Sequence, residues 1–440
     1  MSIQQVQSRG IFHGLPVYPP EVSGLTAIIT GANGISGHYM LRVLSQDPQR
    51  WSKIYCLSRR PPLIPGGLPP NAQHIPLDFL KDPQDIASGL HAAGVTHVDH
   101  IFFYSYIQPP PKQGSTALWS DADEMVRLNS LLLTNFLAAL PLAGLRPTRF
   151  MLQTGAKHYG VHLGPVKQPQ EEDVDARVEL EPNFYYPQED AVFAYCRGAL
   201  SGSSQKECGW AVGMPGAILG AVPDAAMNLC YPLAVYASVC RRLGQPLRFP
   251  GDVPAWQMGS SMSSAMLNAY MEEWMVLAGP KDQRYNVCDA SAFAWEGFWP
   301  RLAGWYGLEW RGPVEEGYVE AETRFAPRKF GGKGTVRRSF SLTQWAKTEE
   351  VQKAWRELAD EWGLRETELR EPNRVFGFAD GTLCRAGPLN FSMDKSRKFG
   401  WHGFVDTSES IFEVFNDFVR MKMIPPVPKV NVSFNGGISS

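Results

Sequence analysis

Between Thr30 and Gly37 the chain reads Thr-Gly-Ala-Asn-Gly-Ile-Ser-Gly, placing glycines at 31, 34 and 37. That spacing suits one piece of chemistry. The first glycine permits a tight turn, the second lets backbone approach a pyrophosphate, and the third lets a helix pack on a sheet with its free amides facing the anion. Position strengthens the reading, because the motif follows the β-branched run Leu25–Thr30 and opens a helical pattern near 35–48. A second strand candidate ends Ser58-Arg59-Arg60. A carboxylate there would accept the ribose hydroxyls of NAD, whereas paired guanidinium groups fit the 2′-phosphate of NADP, so the expected cofactor is NADPH. Asp78 and Phe79, after the third strand candidate, are read as flanking the adenine.

The elements that must position these groups alternate. Strand candidates recur at 25–30, 53–58, 74–77, 100–106, 149–154 and 210–214, separated by helical patterns near 35–48, 83–92, 119–140 and 188–204. Alternation of this kind implies right-handed βαβ crossovers and a parallel sheet covered on both faces. The expected class is α/β, a doubly wound parallel Rossmann sheet followed by a helix-rich C-terminal substrate-binding portion. Helical patterns at 226–243, 262–277, 292–305, 347–362 and 407–422 make up that second portion. The expected organisation is an N-terminal arm at 1–22, the NADP-binding Rossmann domain at 23–225, a cap at 226–425 partly interleaved with the sheet, and a flexible tail at 426–440. The long linkers 60–73, 107–118 and 160–182 read as functional lids or mobile segments.

A nucleotide-binding sheet also needs a group that polarises an acceptor. In short-chain dehydrogenases that is normally a Tyr with a Lys four residues later on one helix face. Here Tyr185 is followed at that spacing by Glu189, Tyr186 by Asp190 and Tyr195 by Ala199, so the lysine must come from elsewhere. At the end of the fifth strand candidate stands Leu152-Gln153-Thr154-Gly155-Ala156-Lys157-His158-Tyr159, and the next helix begins Asn183-Phe184-Tyr185-Tyr186-Pro187-Gln188-Glu189-Asp190.

These segments resemble the LQTGxKHY and NFYYxxED signatures of the progesterone 5β-reductase and iridoid synthase (PRISE) family of atypical extended short-chain dehydrogenases. The resemblance extends over 24–425, through Ser58–Pro61, His100–Tyr106, Met214–Gly220 and Met393–Phe404. It implies NADPH-dependent reduction of the C=C bond of an enone or enal, with Tyr185 and Lys157 as the functional pair. It also implies cofactor contacts along the matching segments, at Thr30, Gly31, Asn33, Gly34, Ile35, Ser58, Arg59, Arg60, Ser105, Tyr106, Gln153, Lys157, Tyr185, Pro215, Ala217 and Ile218. Hydride arriving at the β-carbon pushes charge onto the carbonyl oxygen, so a phenol donor with a nearby ammonium would stabilise the enolate, and the ammonium would depress the phenol's pKa. Two other enzyme readings use the same cofactor and Tyr: reduction of the carbonyl itself, and a redox-neutral isomerisation or cyclisation. A protein that binds NADP as a sensor without turnover is a fourth. The chain departs from the family pattern at Met214, where Arg is usual, at Tyr106, where Trp is usual, and in the composition of 160–182. His158 reads as structural.

Composition excludes several classes. The 440 residues exceed what one core usually holds, and 44% apolar content supports globular folding. A balance of 42 Lys plus Arg against 44 Asp plus Glu, with no basic tract, offers no nucleic-acid surface. Seven cysteines without a CxxC pair read as reduced intracellular thiols, and the first twenty residues lack the apolar stretch of a secretory leader, so a cytoplasmic location is expected. The most apolar window, from Asn129, is interrupted by Asn135 and Pro141 and reads as a buried helix rather than a membrane span. No cluster has metal-ligand spacing, and the expected partner is a small unsaturated carbonyl compound, with a homodimer as a candidate assembly.

Overall fold

The structure is a computed structural model that describes residues 5–112, 119–175, 177–198, 208–328 and 330–428. Most of the expected tail, and part of the 107–118 linker and of the 188–204 helical pattern, lie outside the described residues.

The N-terminal segment forms a hairpin of β1 (Val6–Arg9) and β2 (Phe12–Pro16). From β3 (Leu25–Thr30) strands and helices alternate through α1 (Ile35–Leu44), β4 (Trp51–Ser58), β5 (Ala72–Pro76), α2 (Pro83–Ala92), β6 (His100–Phe103), α3 (Ala122–Leu142), β7 (Arg149–Gln153), α4 (Tyr185–Cys196) and β8 (Gly209–Pro215). A single 3-10 turn, Ala156–Tyr159, follows β7. Then come β9 (Ala217–Leu219), α5 (Cys230–Leu243), β10 (Leu247–Arg248), α6 (Val253–Gln257), β11 (Met262–Ser264), α7 (Ala265–Leu277), β12 (Gln283–Val287) and α8 (Trp295–Tyr306). The remainder holds β13 (Trp310–Arg311), β14 (Val319–Glu322), β15 (Thr335–Arg338), α9 (Leu342–Trp345), α10 (Glu349–Trp362), α11 (Pro372–Leu383), α12 (Asp394–Lys398) and α13 (Thr407–Arg420).

Seven strands make one parallel sheet in the order β5-β4-β3-β6-β7-β8-β12. The apolar runs explain it: Ile28, Ile29, Ile54, Cys56, Leu57, Ile101 and Phe102 are fully buried, as strands covered on both faces require. Phe103, Phe136 and Phe150 stack between the sheet and α3 on one face. On the other, the Trp51 indole donates to Glu273 of α7 at 2.7 Å. The chain winds from β3 outward to β5 and returns to β6 on the opposite side, so the crevice beyond the C-terminal ends of β3 and β6 is the topological switch point, where open α/β sheets bind ligands. A second core gathers α5, α8, α10, α11 and α13 around Trp295, Trp299, Trp355 and Phe415. Between them α7 and β12 return to the sheet layer, which is where the two portions interleave.

Several boundaries differ from expectation for identifiable reasons. The expected arm at 1–22 carries a docked hairpin, with Leu15 buried, Phe12 against the Tyr270 ring, and His13 and Phe404 exchanging two backbone hydrogen bonds of 3.0 Å. β6 stops at Phe103 rather than 106 because the Tyr104 and Ser105 amides turn to donate to Thr30 Oγ1 at 3.0 and 3.2 Å. The helical pattern near 119 begins only at Ala122, where Asp121 caps α3 by accepting from the Glu124 amide at 3.3 Å. The linker 160–182 is pinned rather than loose: the Gln170 amide donates to Asn390 O at 2.8 Å, and buried Glu172 accepts from the Asn286 amide at 2.8 Å.

Candidate active site and cofactor cleft

The glycine loop has the geometry its spacing implies. Gly31 turns with φ +64° and a Cβ there would press on the Tyr104 carbonyl at 3.0 Å, while its amide donates to Leu57 O at 2.8 Å. At Gly37 a Cβ would collide with the Gly31 carbonyl, so the third glycine lets α1 close on the loop. Gly34 is the exception. A Cβ there meets nothing nearer than Gly31 O at 3.4 Å, which leaves its outer side to a ligand. Gly34 is also the N-cap of α1 and supplies no capping side chain, and the first turn carries no acidic residue. The first helical amides, which would meet a pyrophosphate, thus face no capping side chain or first-turn carboxylate, and the residues present fit a dinucleotide. Asn33 and Ile35 flank this point; Ile35 packs on Gly220 just after β9, which brings Ala217 and Ile218 to the same edge.

At the end of β4, Arg59 and Arg60 are exposed, and neither guanidinium group has a hydrogen-bond or ion-pair partner among the described residues. Ser58 Oγ donates to the Arg60 carbonyl at 2.8 Å and shapes the turn that carries both guanidinium groups. Two other expected contacts are occupied otherwise. Thr30 Oγ1 is taken by the Tyr104 and Ser105 amides, so its hydroxyl ties β3 to β6 instead of facing a ligand. Phe79 is 3% exposed and packs on Phe103 and Phe136, which puts its ring in the core, not beside an adenine. Asp78 accepts from the Leu80 amide at 3.0 Å.

The catalytic candidates meet at the C-terminal edge of β7 and β8. Gly155 follows β7, and a Cβ there would lie 3.2 Å from the Tyr185 hydroxyl and 3.3 Å from Pro215 O, so this glycine lets the phenol reach the strand end. Tyr185 is the first residue of α4. Lys157 lies in the 3-10 turn. One side chain aligns the two: Asn183 Nδ2 donates to Lys157 O at 3.0 Å and Asn183 Oδ1 accepts from the Tyr185 amide at 3.1 Å. Beneath them, Tyr186 donates to His158 O at 2.7 Å and accepts from the Val178 amide at 2.8 Å. His158 Nδ1 stands 3.3 Å from Glu189, which also meets Arg177 at 2.9 Å and Arg284 at 2.8 Å. Burial pushes Glu189 up, but His158 and Arg284 hold it down at about 2, so the carboxylate stays charged as a fixed strut.

Both functional groups face the same aromatic chamber. The Lys157 ammonium position is 2.8 Å from the centre of the Trp119 ring, and the Tyr185 ring meets Trp119 edge-on with centroids 6.1 Å apart. Tyr106, Phe184 and His162 complete the walls, and Tyr106 accepts a 2.8 Å hydrogen bond from the Trp119 indole. Burial lowers the Lys157 pKa well below the usual lysine range, opposed only by Glu181, and burial raises that of Tyr185 above the usual phenol range. The expected depression of the phenol by the ammonium is therefore not found. Desolvation governs both groups, and the phenol is a neutral donor at every physiological pH. Neither Tyr185 Oη nor Lys157 Nζ has a hydrogen-bond partner among the described residues, which leaves both for a ligand. The Gln153 Oε1 and Thr154 Oγ1 atoms at the end of β7 are likewise buried without partners.

Asn183 and Gly155 belong to the signature segments, yet their positioning roles do not follow from residue type. Met214 is fully buried in β8.

The comparisons agree with this architecture. Over 91% of its length the chain is 31% identical to an (S)-8-oxocitronellyl enol synthase of Camptotheca acuminata, of which 93% is covered. It is 29% identical, over 92% of its length and 95% of the relative's, to a 3-oxo-Delta(4,5)-steroid 5-beta-reductase of Arabidopsis thaliana. Among solved structures, the WbmG enzyme of Bordetella bronchiseptica in complex with NAD superposes with a TM-score of 0.55 at 14% identity, covering 91% of this chain and 96% of that one, a likeness of fold. Residues 27–328, which span the glycine loop, the Arg pair, Lys157 and Tyr185, match the PRISE-like Rossmann-fold domain, and the chain belongs to that family.

Proposed function

We propose that the protein is an NADPH-dependent oxidoreductase that reduces the C=C bond of a small α,β-unsaturated carbonyl compound, in the cytoplasm and in specialised metabolism. The observation that carries this reading is the convergence, on one aromatic chamber at the C-terminal edge of β7, of a phenol and an amine that have no hydrogen-bond partner among the described residues. Relatives named as a steroid 5-beta-reductase and an enol synthase support the same chemistry.

Bound NADPH supplies a hydride. The chain's residues do the rest. Arg59 and Arg60 hold the 2′-phosphate, and the amides behind Gly34 hold the pyrophosphate. Tyr185 donates a hydrogen bond to the acceptor's carbonyl oxygen, where negative charge grows as the β-carbon is reduced, and the low-dielectric aromatic walls strengthen that bond. Lys157, whose carbonyl Asn183 holds, bonds a ribose hydroxyl or the same oxygen through its amine. A solvent proton completes the α-carbon.

Carbonyl reduction and redox-neutral isomerisation would use the same pair, so product analysis is the test. With NADPH deuterated at the transferred position and a panel of enones and enals, this reading expects a saturated carbonyl product with deuterium at the β-carbon. An alcohol labelled at the carbonyl carbon, or an unlabelled isomer, overturns it.

A further inference from the structure

The chamber that an acceptor needs is filled by a side chain of this protein. The Trp119 indole covers the Lys157 amine at 2.8 Å, meets Tyr185 and Phe184 at ring distances of 6.1 and 5.2 Å, and donates to Tyr106 Oη at 2.8 Å. A carbonyl oxygen within hydrogen-bond reach of the Tyr185 phenol has to enter this same space. Trp119 is also held at φ +68°, a left-handed conformation rare for a bulky residue, two residues before the Asp121 cap of α3. Strained backbone of this kind clusters at ligand sites.

We propose that Trp119 is the specificity-determining residue of the acceptor site, and that the acceptor takes the place of the indole. This rests on the assignment of Lys157 and Tyr185 to the acceptor made above. The contacts that the indole makes define its replacement: a planar, conjugated and mainly apolar acceptor of about bicyclic size. Its ring face lies between the aromatic walls of Tyr106, Phe184 and Tyr185, and its one carbonyl oxygen takes the two polar groups that the indole cannot satisfy, Tyr185 Oη and Lys157 Nζ. Acyclic or strongly polar acceptors would give up the stacking that offsets displacement of the tryptophan.

The test has an arm that does not depend on turnover. Acetylation of Lys157 by acetic anhydride is followed by peptide mass spectrometry in the wild type, W119A and W119F, with exposed Lys353 as the internal reference. W119A is expected to raise the Lys157 rate at least tenfold relative to Lys353, W119F by less, and free indole at millimolar concentration is expected to restore protection in W119A alone. In the kinetic arm, KM for a bicyclic enone falls about tenfold in W119A with a smaller change in kcat, and free indole becomes a competitive inhibitor of that variant. Unchanged Lys157 labelling in a W119A protein that melts like the wild type, or a KM that rises, overturns the inference. If the wild type reduces no enone, the function proposed above fails while the labelling arm still decides whether Trp119 occupies the space over Lys157.

Discussion

Asn183 joins the two functional residues through their backbones, donating to Lys157 O at 3.0 Å and accepting from the Tyr185 amide at 3.1 Å. Neither residue lies on the other's element, so this carboxamide does what a shared helix face does where Tyr and Lys stand four residues apart. Asn183→Ala removes both bonds; Lys157 O keeps the Gly160 amide at 3.1 Å, but the Tyr185 amide loses its acceptor, at a cost of about 1–3 kcal/mol. The expected result is a melting temperature lower by several degrees and a kcat lower by tenfold or more, with the NADPH dissociation constant within about threefold of wild type. An unchanged kcat would show that the pair needs no such alignment.

The unpartnered guanidinium groups of Arg59 and Arg60 make the cofactor choice measurable. At about 1.5–3 kcal/mol per charged hydrogen bond, the double change to Ala is expected to weaken NADPH binding roughly a hundredfold or more and leave NADH binding nearly untouched, as read by calorimetry. Equal loss for the two cofactors would place the 2′-phosphate elsewhere.

Two glycines of one motif are expected to fail differently. Gly37→Ala drives a methyl group into the Gly31 carbonyl, so the loop must shift and the protein should melt well below wild type. Gly34→Ala meets only Gly31 O at 3.4 Å, an ordinary contact, so the fold should persist while cofactor affinity drops, because the methyl group would stand where a pyrophosphate is expected to approach. Thermal melts with and without NADPH separate the two.

Stability should fall as pH rises toward 8. Burial pushes the Glu272 carboxyl up to about 8, against the Tyr104 hydroxyl that bonds it at 2.5 Å and pulls it down. The folded protein keeps a proton that the unfolded chain releases near pH 4, so this contribution is complete below that pH and is lost progressively up to about pH 8. Glu272→Gln should flatten the change in melting temperature between pH 5 and 8.5, an effect on the order of a few kcal/mol in the wild type. Asp289, which burial raises to about 7, adds a contribution of the same sign that remains in the variant. An equal slope in both proteins would remove Glu272 as its source.

Local signals made the sheet and the glycine loop legible in the sequence. The runs Leu25–Thr30 and Trp51–Ser58 are apolar because both faces of a parallel strand are buried, and the glycine spacing acts within one turn. The N-terminal hairpin was not legible, since its strands of four and five residues are half polar and are held by α7 and Phe404 from far along the chain. Phe79 misled because a strand-end aromatic looks alike whether it faces an adenine or, as here, Phe103 and Phe136. Trp119 read as the first turn of a helix. Only the three-dimensional arrangement sets its indole against Lys157. The role of Asn183 likewise depends on two segments meeting, which spacing along one of them does not encode.

The proposed reaction turns most directly on the Tyr185 phenol as the donor to the acceptor's oxygen. The deciding measurement is kcat/KM for NADPH oxidation by Tyr185→Phe beside wild type, on a bicyclic enone, with NADPH affinity measured on the same samples. Loss of a charge-stabilising donor predicts a fall of about a hundredfold or more with cofactor binding retained. Comparable values for the two proteins would contradict it.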